Sequence, residues 1–293
     1  MQPNTLLSDG LLDNEAKFQH PFFSRFQLHQ APSPLKLSQD IEKRYQFPTL
    51  YANVTCAQAI FLCNYDKAQA LMPHPFMKPV RVPGNRALVA FSNYIYRDVM
   101  NIAPYNEIAM TIPMMVAPKF DLPLLPAVVP GFKSFGYYVF SMPVTSLENC
   151  IRGNEIWGLP KVVQQIDIEQ NGDQSLTCAT DEQDNHYLSI RVPTKGRKSR
   201  FDVSANLYSV KDGQLLQSRT CFTGEFEVNK YLSKLWTPKP AGDTPFLTLG
   251  EGPFAERLRA LEIDGQPFQT RYCDDMQACF DLANADYRAP FNL

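Results

Sequence analysis

The sequence predicts a mainly β protein of the α+β class, an antiparallel β-sheet or β-barrel with a few short helices. From Tyr51 onward, short runs that are apolar or that alternate between apolar and polar residues dominate the chain, as strands do. Asn171-Gly172 and Asp212-Gly213 separate such runs and favour tight hairpin turns. No sustained alternation of strand and helix patterns appears, which a doubly wound α/β fold would require.

The predicted elements follow from these patterns in chain order. Strands are predicted over 59–64, 86–97, 107–117, 136–143, 163–169, 174–179, 186–192, 200–208 and 214–227. Short helices are predicted over 65–72, where Pro73 ends the helix, and over 146–152, 254–261 and 276–283. Short helices between many strands are typical of a sheet or barrel rather than of a helical bundle.

Two regions differ in composition. Residues 1–45 are polar, with aromatic islands at Phe18, Phe22, Phe23 and Phe26. We expect this segment to be an N-terminal arm that docks on the body or on a neighbouring subunit, because a free tail would not need the aromatic side chains. Residues 46–293 are expected to form a single domain.

Bulk composition argues against several classes of partner. The formal net charge of −2 favours neither nucleic acid nor an anionic membrane surface. The most apolar stretch, 122–140, is interrupted by three prolines and is not expected to span a membrane. The seven cysteines show no C-x-x-C pair and no signal peptide pattern begins the chain, so we expect reduced thiols and a cytoplasmic protein.

Motifs for bound cofactors are missing from the sequence. The four histidines are His20, His29, His74 and His186, and none pair at the spacing of metal ligands. Neither a phosphate-binding P-loop nor a G-x-G-x-x-G turn is present. We therefore expect neither a metal nor a cofactor.

The segment 150–161 carries the most informative residue, Lys161. This lysine directly follows Gly158-Leu159-Pro160, lies near Trp157 and precedes two valines. Burial disfavours the ammonium form of a lysine, and the resulting neutral amine is a nucleophile. Such an amine can condense with a ketone to form an iminium, which accepts electrons. Without further support, a lysine after Gly-x-Pro would be read as a loop residue.

The run Gly153–Lys161 (GNEIWGLPK) resembles the G-R-E-x-x-G-[FYL]-P-K signature of the acetoacetate decarboxylase superfamily. Residues 65–73 resemble the family's short helix ending in proline, 104–107 its Y-x-E strand start, and 136–140 the strand before the lysine. The resemblance implies the family's β-barrel, a Schiff base on Lys161 and a homo-oligomer. Glu107, the glutamate of the Y-x-E match, is the best candidate for proton transfer, with a plain strand salt bridge as the alternative.

The sequence also departs from the family pattern. Val162 stands where a second lysine is common, so an adjacent ammonium is not available and burial is left to activate Lys161. Acetoacetate decarboxylase itself is a known example of a lysine activated by desolvation or by a neighbouring cation. The family arginine before the first core strand has no clear counterpart here. Neither has the first family glutamate, since the sequence at its expected position reads Phe91-Ser92-Asn93-Tyr94.

These residues predict a cofactor-independent carbon–carbon lyase that acts on a keto acid through Lys161 and Glu107. Decarboxylation of a β-keto acid and aldol condensation–dehydration of pyruvate both remain open, as does a non-catalytic binding protein on the same barrel. An arginine within reach of the amine would favour decarboxylation, and tyrosine or glutamine without arginine would favour the aldol reaction. The residues expected to contact substrate are Tyr94, Arg97, Tyr138, Trp157 and Leu159.

Overall fold

The computed structural model describes residues 1–119, 133–235 and 244–293, which fold mostly into β-strands. The strands are β1 (His29–Gln30), β2 (Leu35–Lys36), β3 (Glu42–Lys43), β4 (Gln46–Phe47), β5 (Thr49–Asn64), β6 (Met77–Pro79), β7 (Arg81–Val82), β8 (Arg86–Val99), β9 (Tyr105–Val116), β10 (Phe135–Val144), β11 (Lys161–Val163), β12 (Gln165–Asn171), β13 (Gln174–Thr180), β14 (His186–Pro193), β15 (Arg197–Lys211), β16 (Gln214–Lys230), β17 (Leu247–Leu249) and β18 (Pro267–Ala283). The α-helices are Tyr65–Ala70, Leu147–Trp157 and Gly252–Arg259, and short 3-10 helices occur at Glu15–Lys17, Phe23–Arg25 and Leu232–Leu235. The predicted mainly β class with few short helices is confirmed.

Seven long strands close into a barrel, in the order β5, β8, β9, β10, β15, β16, β18 and back to β5. Each neighbouring pair is antiparallel except β10 and β15, which run parallel, so the barrel is mixed rather than purely antiparallel. The parallel pair arises because the chain leaves the barrel after β10, builds a helix and a second sheet, and re-enters with β15.

The second sheet, in the order β12-β13-β14-β17, packs against the outer surface of the barrel. Alternate side chains of β9 belong to two different apolar cores, one between the barrel and the second sheet and one inside the barrel. Ile108 and Ile112 pack with Ile190 and other apolar residues of the second sheet. Tyr105 and Ala109 belong to the cluster inside the barrel. This two-residue period gives β9 one face for packing and one face for the barrel interior.

The predicted helix over 276–283 is wrong, because these residues form the end of strand β18. Strand β18 pairs with β5 on one side and with β16 on the other, so its main chain is hydrogen-bonded along both edges. Met276, Ala278 and Phe280 alternate toward the barrel interior, and this non-local pairing outweighs the local helix preference. The predicted strand over 163–169 is in fact two strands, β11 and β12, in different sheets.

Part of the predicted N-terminal arm packs against the barrel. Phe18, Phe22 and Phe23 are buried in one cluster with Leu50 and other barrel residues. No helix within 1–119, 133–235 or 244–293 is long and apolar enough to cross a membrane. Residues 122–132 of the apolar stretch noted in the sequence lie outside the described residues.

Candidate active site

The helix Leu147–Trp157, here called the motif helix, sets the position of the lysine segment. It begins after Ser146, whose side chain accepts a hydrogen bond of 3.2 Å from the Asn149 N–H. It ends at Gly158, which has φ of +60°, beyond the end predicted at Arg152. A Cβ on residue 158 would lie 2.4 Å from the carbonyl oxygen of Val210, so glycine is required here both for space and for the left-handed backbone.

Lys161 is the first residue of β11, which pairs in parallel with the end of β10. The side chain of Asn154, in the motif helix, forms hydrogen bonds with both the N–H and the carbonyl of Lys161. The Lys161 N–H donates to Asn154 Oδ1 at 3.1 Å, and Asn154 Nδ2 donates to the Lys161 carbonyl at 3.2 Å. These two bonds couple the start of β11 to the helix and fix where the lysine side chain enters the barrel.

The Lys161 amine is buried and donates two hydrogen bonds. The residue is 8% exposed, and its Nζ donates to Glu107 Oε2 at 2.6 Å and to Asn149 Oδ1. The Tyr96 hydroxyl donates to the other oxygen of Glu107 at 3.4 Å. Lys161 and Glu107, far apart in sequence, therefore lie within one hydrogen-bonded group on the barrel wall.

Burial lowers the pKa of Lys161, because a charged ammonium is poorly solvated inside the barrel. Glu107 acts in the opposite direction by favouring the charged amine, and the positive charge of Arg152 lowers the pKa further. The net direction is downward. A larger fraction of this amine is therefore neutral near pH 7 than of an exposed lysine.

Arg152 is a second buried cation near the lysine. It is 1% exposed, and its Nη2 donates to Thr49 Oγ1 at 3.0 Å. Its guanidinium carbon lies 4.3 Å from the ring centroid of Tyr45, a cation–π contact. Its Nε and Nη1 atoms have no hydrogen-bond partner within the described residues. No carboxylate forms an ion pair with Arg152 within the same residues.

The buried charges around the motif helix do not cancel. Lys43 forms a buried ion pair of 3.0 Å with Glu148, and Lys161 faces Glu107. With Arg152 there are three buried cations and two buried carboxylates in this group. One positive charge is in excess, and burial makes such an excess costly. Loss of a proton from Lys161 or entry of an anionic ligand would remove it.

A cavity inside the barrel leads to the amine, with a volume of about 710 Å³ including the space at its open mouth. Polar side-chain atoms from Glu107, Asn149 and Lys161 lie together in its wall. Much of the remaining wall near the lysine is aromatic or apolar, from Tyr51, Tyr94, Tyr96, Met142, Trp157 and Leu159. The arrangement presents an amine and a carboxylate to a small molecule in a mostly apolar space.

Comparison with protein families identifies the family of this chain. The sequence model of acetoacetate decarboxylase (ADC) matches residues 32–215, which is more than half of the chain and includes Glu107, the motif helix and Lys161. The chain belongs to the acetoacetate decarboxylase family. A comparison with curated proteins found no match.

Solved structures of low sequence identity share the fold of this family member. The acetoacetate decarboxylase of Legionella pneumophila is 16% identical with a TM-score of 0.58, covering 98% of this chain and 99% of that one. A second acetoacetate decarboxylase is 14% identical with a TM-score of 0.54, covering 82% and 90%. The enduracididine biosynthesis enzyme MppR, in complex with pyruvate, is 11% identical with a TM-score of 0.54, covering 80% and 90%.

Three of the five residues predicted to contact substrate line the cavity of this acetoacetate decarboxylase-family barrel: Tyr94, Trp157 and Leu159. Tyr138 does not, because it packs with Phe140 against the core between the barrel and the second sheet, whereas its neighbour Val139 faces the barrel interior. The prediction for Tyr138 therefore assigned the wrong face of β10.

Arg97 also lies away from the cavity. It is half-buried at the end of β8, where its guanidinium donates to the Asn53 carbonyl at 3.2 Å and to Asp274 at 3.4 Å. Its Asp274 partner is largely exposed, so this contact is a surface pair. The arginine near the lysine is instead Arg152, which contacts the ring of Trp157 from 5.8 Å and does not line the cavity.

Sequence reasoning missed Asn149, Tyr96 and Arg152. Tyr96 could have been found, because it is two residues from Tyr94 on the same strand and therefore on the same face. Asn149 and Arg152 are three residues apart on the motif helix, so they lie on neighbouring parts of its surface. A predicted helix that extended to Trp157 would have placed Asn149 and Arg152 near the face that the Lys161 side chain crosses.

Proposed function

We propose that this member of the acetoacetate decarboxylase family is a lyase that forms a Schiff base between Lys161 and a keto acid. The carrying observation is a buried amine 2.6 Å from the Glu107 carboxylate at the wall of an apolar cavity. In this proposal Lys161 is the nucleophile and Glu107 carries protons. Neither role needs a bound cofactor.

The distances support each proton step. Glu107 Oε2 lies close enough to Nζ to take the proton that the ammonium must lose before it attacks. Attack on the keto carbon gives a carbinolamine; Glu107 then returns its proton to the carbinolamine hydroxyl, which leaves as water, so the iminium forms and Glu107 is again a carboxylate. The positive charge of the iminium then lies beside Glu107, where the carboxylate stabilises it. Asn149 Oδ1 fixes the amine from a second direction.

Buried charge supports an anionic substrate. The group around the motif helix holds three cations and two carboxylates. A carboxylate that enters beside Lys161 compensates the excess, even though Arg152 itself is not part of the cavity wall. A keto acid supplies both this charge and the carbonyl carbon.

Among the two possible reactions, the cavity lining favours the pyruvate aldol condensation. Tyr51, Tyr94 and Tyr96 line the cavity, and no arginine does so within the described residues. Burial raises the pKa of Tyr51 to about 12, so its phenol stays protonated and can donate to a carbonyl or hydroxyl oxygen. The shared fold with MppR in complex with pyruvate supports the same choice, whereas the shared fold with acetoacetate decarboxylases supports decarboxylation.

The direct test is reduction by borohydride in the presence of pyruvate or acetoacetate, followed by peptide mass spectrometry. We expect a stable adduct on Lys161 and none in the Lys161→Met variant. Product analysis then separates carbon dioxide release from a condensed and dehydrated product. No adduct with any keto acid would overturn the proposal. Equal thermal stabilisation of both proteins by keto acids, without product, would instead indicate a non-catalytic binding protein.

Arg152→Gln is expected to shift the pH dependence of adduct formation. The cation of Arg152 favours the neutral form of Lys161, so its removal raises the pKa of the amine. The rate of trapping rises as the amine loses its proton, and this rising limb should therefore move to higher pH. Trapping rates measured between about pH 5 and about pH 10 give the size of the shift.

Arg97→Gln is the matched control for this pH experiment. Arg97 carries the same charge but bonds to Asn53 and Asp274 outside the cavity. Its variant should keep the wild-type pH profile. A profile of Arg152→Gln that coincides with wild type would show that the charge of Arg152 does not act on Lys161.

A further inference from the structure

The side of the cavity opposite Glu107 is built from the barrel strands farthest from β9. Glu107 lies on β9, and in the closed ring β16 and β18 are each three strands away from β9, in opposite directions. Residues of these two strands and one of β15 form what we call the far wall: Leu207, Thr220, Phe222, Met276, Ala278, Cys279 and Phe280.

The far wall offers almost no polar contact. Five of its seven side chains are hydrocarbon or thioether groups, and the Thr220 hydroxyl and the Cys279 thiol are the exceptions. The hydrogen-bonding groups used for the proposed chemistry, Glu107, Asn149 and Lys161, are clustered on the other side of the cavity. A pyruvate-sized molecule bound at Lys161 would satisfy this polar cluster and leave the far wall without a ligand contact.

A second, smaller cavity of about 290 Å³, including the space at its open mouth, lies behind the far wall; its lining is mostly apolar, with Gln58 and Arg271 as polar members. It shares Tyr94, Phe222 and Met276 with the first cavity, so these side chains form a partition between the two. Methionine is unbranched and changes shape at low cost. A long ligand group that displaces Met276 would therefore reach further apolar surface, including Phe226.

One pair of residues controls the room at the far wall. Phe222 on β16 and Ala278 on β18 are direct cross-strand partners. The alanine leaves space in front of the sheet, and the phenylalanine fills space beside it. Enlarging Ala278 makes the cavity smaller, and truncating Phe222 makes it larger.

We infer that the keto acid captured by Lys161 carries a bulky apolar group, aromatic or branched aliphatic, which packs on the far wall while its keto carbon meets Lys161. In a condensation the captured molecule is an α-keto acid with this group on its β-carbon, and in a decarboxylation it is a β-keto acid with this group on its keto carbon. The inference rests on the proposed Schiff-base function and adds its substrate class. Phe222 and Ala278 are then the residues that set specificity.

The first test compares substrate pairs that differ by one phenyl group: phenylpyruvate against pyruvate, and benzoylacetate against acetoacetate. Trapping on Lys161 should half-saturate at a concentration at least about tenfold lower for the phenyl compound, since even one methylene in an apolar pocket changes selectivity by tenfold or more. Equal half-saturation within each pair would overturn the inference. No adduct with any of the four compounds would instead contradict the proposed function itself.

The second test changes the far wall. Ala278→Trp should lower the phenyl-to-small selectivity ratio by about tenfold or more, and Phe222→Ala should raise it for longer phenylalkyl keto acids. Ala278→Leu repeats the first change with a smaller side chain if the tryptophan variant is too unstable to measure. Ala285→Trp, at an exposed position after β18, should keep the wild-type ratio. Unchanged ratios in all far-wall variants would overturn the assignment of these residues.

Discussion

Replacing Lys161 by methionine is expected to abolish covalent capture of keto acids and to lower the free energy of unfolding by about 3–5 kcal/mol. The first effect follows because methionine has no amine. The second follows because Glu107 is 5% exposed and loses its 2.6 Å partner, and among the described residues its carboxylate then keeps only the Tyr96 hydroxyl at 3.4 Å. Borohydride trapping and urea denaturation measure the two effects separately.

The double variant Lys161→Met/Glu107→Gln separates stability from chemistry. Glutamine removes the unpaired charge, so the double variant should recover most of the lost unfolding free energy. Covalent capture should remain absent. Glu107→Gln alone should keep the amine but slow adduct formation, because the amide cannot take its proton. A double variant as unstable as Lys161→Met would show that the loss comes from packing rather than from the buried carboxylate.

The sequence predicts those strands whose hydrophobic pattern and turns lie within a short stretch of the chain. Strands β13, β14 and β16 lie at or within a few residues of their predicted bounds, because two-residue periodicity and hairpin turns record them directly. The end of β18 was missed because its strand state depends on pairing with β5, more than two hundred residues earlier in the chain. Closure of a barrel is a non-local event that no short window contains.

The candidate site divides in the same way. Lys161 could be recognised from a contiguous motif, and Glu107 from the match over 104–107. The error at Tyr138 has a different cause. The register between β9 and β10 shifts between Val139 and Ser141, and such an irregularity changes which side chains face inward. The effect of Arg152 on Lys161 depends on the full length of the motif helix, which the predicted helix over 146–152 does not include.

Gly153→Ala is expected to slow adduct formation by about 100-fold, the loss that a displacement of about 1 Å at a reacting group can cause. Gly153 is buried within the motif helix, where the Lys161 side chain crosses it. A Cβ at this position would lie 2.3 Å from Lys161 Cδ and 2.6 Å from Cε. The lysine stem must therefore move, and the amine moves away from Glu107 and Asn149.

Two physical effects of this substitution act in opposite directions, and they can be measured separately. Alanine is favoured over glycine inside a helix by about 1 kcal/mol, so helix propensity alone predicts a more stable protein. The steric overlap with Lys161 predicts the reverse, together with lost trapping. Gly10→Ala is the control, since a Cβ there meets no atom within 4 Å. Wild-type trapping rates and a raised melting temperature in Gly153→Ala would show that the lysine reaches its position without needing this glycine, and that its alignment with Glu107 tolerates a shifted stem.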